Sequence, residues 1–118
     1  MKKSIIFVFV ITLLSACSSK KSEEIVSKSA DGNAQVTVSG TKNNFADPWQ
    51  TDIKISGYND SATAQTEIFA GDLNKENITF QWENNNACKV TIKQQDNTSR
   101  IFVVDIEPGK LELHEEGK

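Results

Sequence analysis

Residues 77–93, NITFQWENNNACKVTIK, decide the fold. Ile78, Phe80 and Trp82 alternate with Thr79, Gln81 and Glu83, so an extended chain turns its apolar side chains to one face and its polar ones to the other. Asn84, Asn85 and Asn86 interrupt this pattern, and asparagine tolerates the left-handed backbone of tight turns. The alternation then resumes with Cys88, Val90 and Ile92 against Lys89, Thr91 and Lys93. Two half-buried strands around a polar turn predict an antiparallel hairpin.

The same pattern extends in both directions. Downstream, Asp96, Asn97, Thr98 and Ser99 form a turn into an apolar run at 101–106, which suits a central strand. Glu107, Pro108, Gly109 and Lys110 turn the chain again, and Leu111 and Leu113 alternate with Glu112 and His114. Upstream, weaker strands are expected at 35–39 through Val36 and Val38, at 51–56 through Ile53 and Ile55, and at 65–70 through Ile68 and Phe69. No stretch has a helical period of convincing length.

About seven short strands in roughly 80 residues are too many for one open sheet with a wet face, so the class is all-β. The expected form is a small antiparallel two-layer sandwich, with a small β-barrel as the alternative. The turn spacing resembles that of immunoglobulin-like sandwiches, although Trp82 and Cys88 lack the spacing of the antibody Cys, Trp and Cys pattern. Residues 34–118 make up this domain. Residues 18–32, rich in Ser, Lys and Glu with only Ile25 and Val26 apolar, read as a flexible tether, which sets 17–33 apart.

The N-terminus has a different character. Lys2 and Lys3 precede an apolar run at 5–14, the layout of a secretory signal. The run is too short for a permanent span, which needs roughly 20 apolar residues. It ends in Leu14, Ser15, Ala16 and Cys17, a tetrad that resembles the lipobox of bacterial prolipoproteins. That resemblance implies removal of residues 1–16, a diacylglyceryl thioether on Cys17 and acylation of its new amine. Each buried CH₂ adds about 0.8 kcal/mol, so two or three chains anchor the protein stably. Ser18 stands where Asp would signal inner-membrane retention, so the family rule implies the outer membrane, lipid-anchored and facing the periplasm.

Charge narrows the partners. The formal net charge of the 118-residue chain is −3, and loss of Lys2 and Lys3 makes it two charges more negative. An acidic surface gains nothing from phosphate counterion release, which argues against nucleic acid. Membrane attachment then falls to the lipid, and the expected partner is another envelope protein.

No catalytic or metal constellation emerges, and no cofactor is implied. Cys88 shares an apolar face with Val90 and Ile92 and reads as a buried thiol. His114 lies on the polar side of the last strand without a nucleophile or orienting carboxylate signalled nearby. One His and one free Cys are too few for a common zinc site. Asp60, Asp72 and Asp96 sit at turns, where Asp bonds its own backbone. The binding candidates are Phe45 and Trp49 in NNFADPWQ (43–50), since aromatic side chains on loops serve as interface anchors; the alternative for Trp49 is that it folds back to cap one end of the sandwich, because a domain this small needs its large side chains. Trp82 is expected in the core.

The reading that follows is a non-enzymatic, lipid-anchored module that binds or scaffolds an envelope protein, in an inhibitor, immunity or assembly role. A carrier of a small hydrophobic or carbohydrate ligand, with Phe45 and Trp49 lining a pocket, is the alternative; a hydrolase with paired carboxylates ranks below both.

Overall fold

The computed structural model describes residues 21–44 and 46–117. Eight strands form, β1 (Lys21–Lys28), β2 (Ala34–Lys42), β3 (Trp49–Gly57), β4 (Asp60–Ile68), β5 (Ile78–Trp82), β6 (Ala87–Lys93), β7 (Ser99–Glu107) and β8 (Lys110–Glu115). They build two antiparallel four-stranded sheets, β1-β2-β3-β4 and β5-β6-β7-β8, in a sandwich. The all-β, two-layer architecture is the expected one.

Strand order within each sheet is the order in sequence, so each half of the chain is a simple meander. No strand crosses from one sheet to the other and back, as an immunoglobulin Greek key would require. Each sheet also keeps two open edges and is not a barrel. Among the described residues, the single passage between layers is the 69–77 linker.

The additional strand is β1, which occupies most of the segment expected to be a tether. Composition misled there because β1 is an edge strand. Its pairing with β2, from Lys21 opposite Lys42 to Lys28 opposite Gln35, is made by the main chain. Of its side chains only Ile25 packs against the core, so it has almost no hydrophobic signature.

Alternation places the core as predicted. Val36 and Val38 of β2, Ile53 and Ile55 of β3, Val90 and Ile92 of β6, and Val104 and Ile106 of β7 are buried between the sheets. Each such side chain contributes roughly 1.5–3 kcal/mol on burial. Strand β4 starts earlier than its apolar residues suggest, because Ala62 and Ala64 carry its inward face opposite Ile55 and Ile53.

Two turns follow the sequence closely and one does not. Pro108 and Gly109 (φ 73°) join Glu107 to Lys110 in a tight two-residue loop. Asn97 takes a left-handed backbone (φ 70°) in the 94–98 turn. The Asn84, Asn85 and Asn86 turn keeps negative φ and acts through side chains instead. Asn84 Oδ1 accepts the Asn86 N–H at 2.7 Å, and Asn85 Oδ1 accepts the Asp31 N–H at 3.2 Å. Asn86 Nδ2 donates to the Ile106 carbonyl at 2.9 Å and to the Tyr58 hydroxyl at 3.3 Å. The triplet thus stitches the two sheets together at one end.

Candidate functional site

Cys17, the proposed lipid site, and Phe45 lie outside the described residues. Trp49 is not a surface anchor: it opens β3 and is fully buried. Its indole Nε1 donates to the Ala70 carbonyl at 3.0 Å, and Lys42 Nζ donates to the same oxygen at 3.1 Å while standing 5.3 Å from the Trp49 ring centroid. Gly40 makes room for this cluster, since a Cβ there would meet Leu73 Cδ1 at 2.6 Å. Trp49 therefore fastens the linker between the sheets. The physical reason is size: a domain this small uses its largest side chain to fill the end of the core.

Trp82 does the reverse. Expected in the core, it is only partly buried, and its Nε1 donates to Ser27 Oγ of β1 at 2.9 Å. Trp82 stands opposite Cys88 in the β5–β6 pair. Cys88 itself is a buried free thiol whose pKa burial pushes up to about 11, so it stays protonated and poorly nucleophilic near neutrality. His114 is exposed on β8.

Asp60 and Asp96 hold their turns by local hydrogen bonds, from the Ser61 amide at 2.9 Å and from the Thr98 amide at 3.0 Å. Asp72 is exposed in the linker, where its carbonyl accepts Asn77 Nδ2. Among the described residues, the buried polar side chains are Ser29, Lys42 and Thr51. No group of three or more His, Cys, Asp and Glu comes together there to hold a metal ion.

Two shallow depressions, lined mostly by polar residues, mark the surface. One, of about 290 Å³, lies where the linker meets the β6–β7 turn and includes Asp72, Glu76 and Lys93. The other, of about 480 Å³, crosses the outer face of the first sheet past Glu24, Ser39 and Asp52, which stand in register on β1, β2 and β3. Neither includes Trp49.

The flanks of the sandwich differ more. Where β4 approaches β8, Arg100 of β7 reaches across the gap. It forms a bidentate pair with Glu115, donating to Thr66 Oγ1 at 2.9 Å and to the Glu67 carbonyl at 2.9 Å. On the opposite flank, β1 and β5 are joined by the Trp82 to Ser27 hydrogen bond, with Ile25, Phe80 and Trp82 partly buried around it. These three side chains and the β5 edge form the most distinctive candidate surface.

The β5 edge is chemically unguarded. Sheet edges are normally blunted with charge, and β1 carries Lys21, Glu23, Glu24 and Lys28, β4 carries Asp60 and Glu67, and β8 carries Lys110, Glu112 and Glu115. Strand β5, ITFQW, carries none. Hydrogen bonds from the Glu83 amide to the Ala87 carbonyl and from the Lys93 amide to the Asn77 carbonyl fix which residues bond β6. By alternation along the strand, the N–H and C=O of Phe80 and Trp82 point away from β6.

Sequence reading missed this surface because Phe80 and Trp82 share the inward parity of the core. It also missed Phe69, which is 52% exposed. A signal existed there: Ile68 and Phe69 are adjacent, and in a strand only one of two neighbours can face the core. No family model matches the chain, and no curated protein or solved structure is detectably similar to it.

Proposed function

We propose that this chain is a lipoprotein of the bacterial cell envelope, anchored through a thioether on Cys17, and that its sandwich is a non-enzymatic module binding another envelope protein. The anchoring rests on the Leu14-Ser15-Ala16-Cys17 tetrad after its short apolar run. The binding reading rests on one observation, the uncharged β5 edge whose outward backbone groups are flanked by half-buried Phe80 and Trp82. Such an edge accepts an extended segment by strand addition, main-chain hydrogen bonds supplying affinity and the two aromatic side chains selectivity. Placement at the outer membrane follows from Ser18 by the lipoprotein sorting rule.

A photoreactive phenylalanine analogue placed at Gln81 of β5, and separately at exposed Gln65 on the outer face of the first sheet, tests the reading in the native cell. The expected result is one adduct of defined mass from Gln81 and none from Gln65. The same adduct from both positions, or none from either, contradicts it. For the anchor, Cys17→Ser is expected to release the folded domain from the membrane fraction and abolish palmitate labelling.

A further inference from the structure

The register fixes which loops share an end with the start of β1. Lys21 stands opposite Lys42, Trp49 opposite Ile68, Ile78 opposite Ile92 and Lys93 opposite Ser99. The linker and the 94–98 turn therefore lie at the end of the sandwich where β1 begins, while the turns at 29–33, 58–59, 83–86 and 108–109 lie at the other. Between Lys21 and Cys17 there are three residues, 18–20. At full extension four residue steps span about 14 Å, so a lipid on Cys17 keeps this end close to the headgroups.

Phe69 sits at that same end, on the far side of the first sheet. It follows β4, three strands from β1, which at about 4.8 Å per strand places it roughly 14 Å across. The residue is 52% exposed, yet its backbone is held on both sides. The Phe69 N–H donates to Gln94 Oε1 at 3.2 Å, and its carbonyl accepts the Gln95 N–H at 2.9 Å. An apolar ring is thus displayed on a fixed backbone, at the end to which the lipid tethers the chain.

We propose that this end of the sandwich rests on the bilayer, with Phe69 seated in the interface as a second point of attachment beside the lipid. The proposal rests on the lipoprotein reading above. Two points of contact on opposite sides of one end hold the domain upright, with the Asn86 end facing away from the membrane. The attachment is apolar, because the charges at this end balance, Asp47, Asp72, Glu76 and Asp96 accompanying Lys21, Lys42, Lys75 and Lys93. It therefore survives added salt, which screens charge and not apolar burial.

The test uses the full-length lipidated protein in vesicles of phosphatidylethanolamine and phosphatidylglycerol. An environment-sensitive fluorophore is attached to Phe69→Cys or, at the opposite end, to Asn59→Cys; Cys88 is buried and escapes labelling. Nitroxides near the headgroup end of the acyl chains are expected to quench the Phe69→Cys probe several-fold more than the Asn59→Cys probe. Equal quenching on a protein whose mass shows diacylglycerol at Cys17 overturns the orientation and leaves the lipoprotein reading intact. A mass without that lipid overturns both.

Discussion

The two flanks of the sandwich are held by unlike chemistry. Where β4 meets β8, Arg100 and Glu115 form a bidentate ion pair with only 19% and 16% of the side chains exposed, and the guanidinium also bonds Thr66 and Glu67 of the opposite sheet. The Glu115 hydrogen bond raises the Arg100 pKa above its usual value, so the charge persists at any working pH. Where β1 faces β5, one neutral hydrogen bond joins Trp82 to Ser27. A domain that closes one side with two bonds from an ion-paired guanidinium and the other with a single neutral bond has a stable flank and an available one. Low local stability is where binding surfaces are drawn from.

Breaking the end that joins the two flanks has the largest effect. Trp49→Ala removes a fully buried indole and the donor that pins Ala70, and is expected to cost about 4 kcal/mol, read as a loss of cooperative unfolding or a large fall in Tm. Its cost falls on stability whether or not a partner is present. A variant that folds normally but loses its partner returns Trp49 to the surface role expected from sequence.

Breaking the closed flank comes next. Glu115→Ala leaves the Arg100 charge partly buried with Thr66 and Glu67 as its acceptors, and is expected to destabilise by about 2 kcal/mol, or a Tm shift of roughly 10 °C. Denaturant titration measures this directly. A change within the noise of an exposed ion pair means the clasp contributes little.

Breaking the open flank costs least but is the most local. Trp82→Phe keeps an aromatic ring, though a smaller one, and loses the bond to Ser27, about 1 kcal/mol. Cys88, opposite Trp82, serves as the reporter. Its alkylation at constant pH is expected to accelerate in Trp82→Phe and to stay slow in Glu115→Ala at temperatures where that variant remains folded. Equal acceleration in both variants means the flanks open together.

Much of the fold was legible because burial imposes a period of two wherever one face of a strand is wet. Residues 77–93 and 101–113 show that period in large side chains, and they form β5 to β8 nearly as predicted. The first sheet was harder to read because its strands use little of that signal. Strand β1 is held by main-chain pairing, and β4 packs alanines inward. The assignment of strands to layers was not legible either, since alternation reports a face and not the sheet it faces.

The candidate surface was less legible still. Trp49 took its capping alternative rather than the surface role, and Trp82 reached only the margin of the core; the reason is position within the sandwich. Trp49 lies at the start of a central strand, under Lys42 and the linker. Trp82 ends an edge strand, where the same inward parity leads to a half-covered flank. Parity is written in the sequence, whereas centrality is set by tertiary pairing.

Native-state hydrogen exchange on the folded domain, resolved by peptide mass, tests the asymmetry most directly. Amides of β5 and β1 are expected to exchange through a local opening well below the global unfolding free energy, while those of β7 exchange only when the whole domain unfolds. Protection of β5 and β1 equal to that of β7 would contradict it.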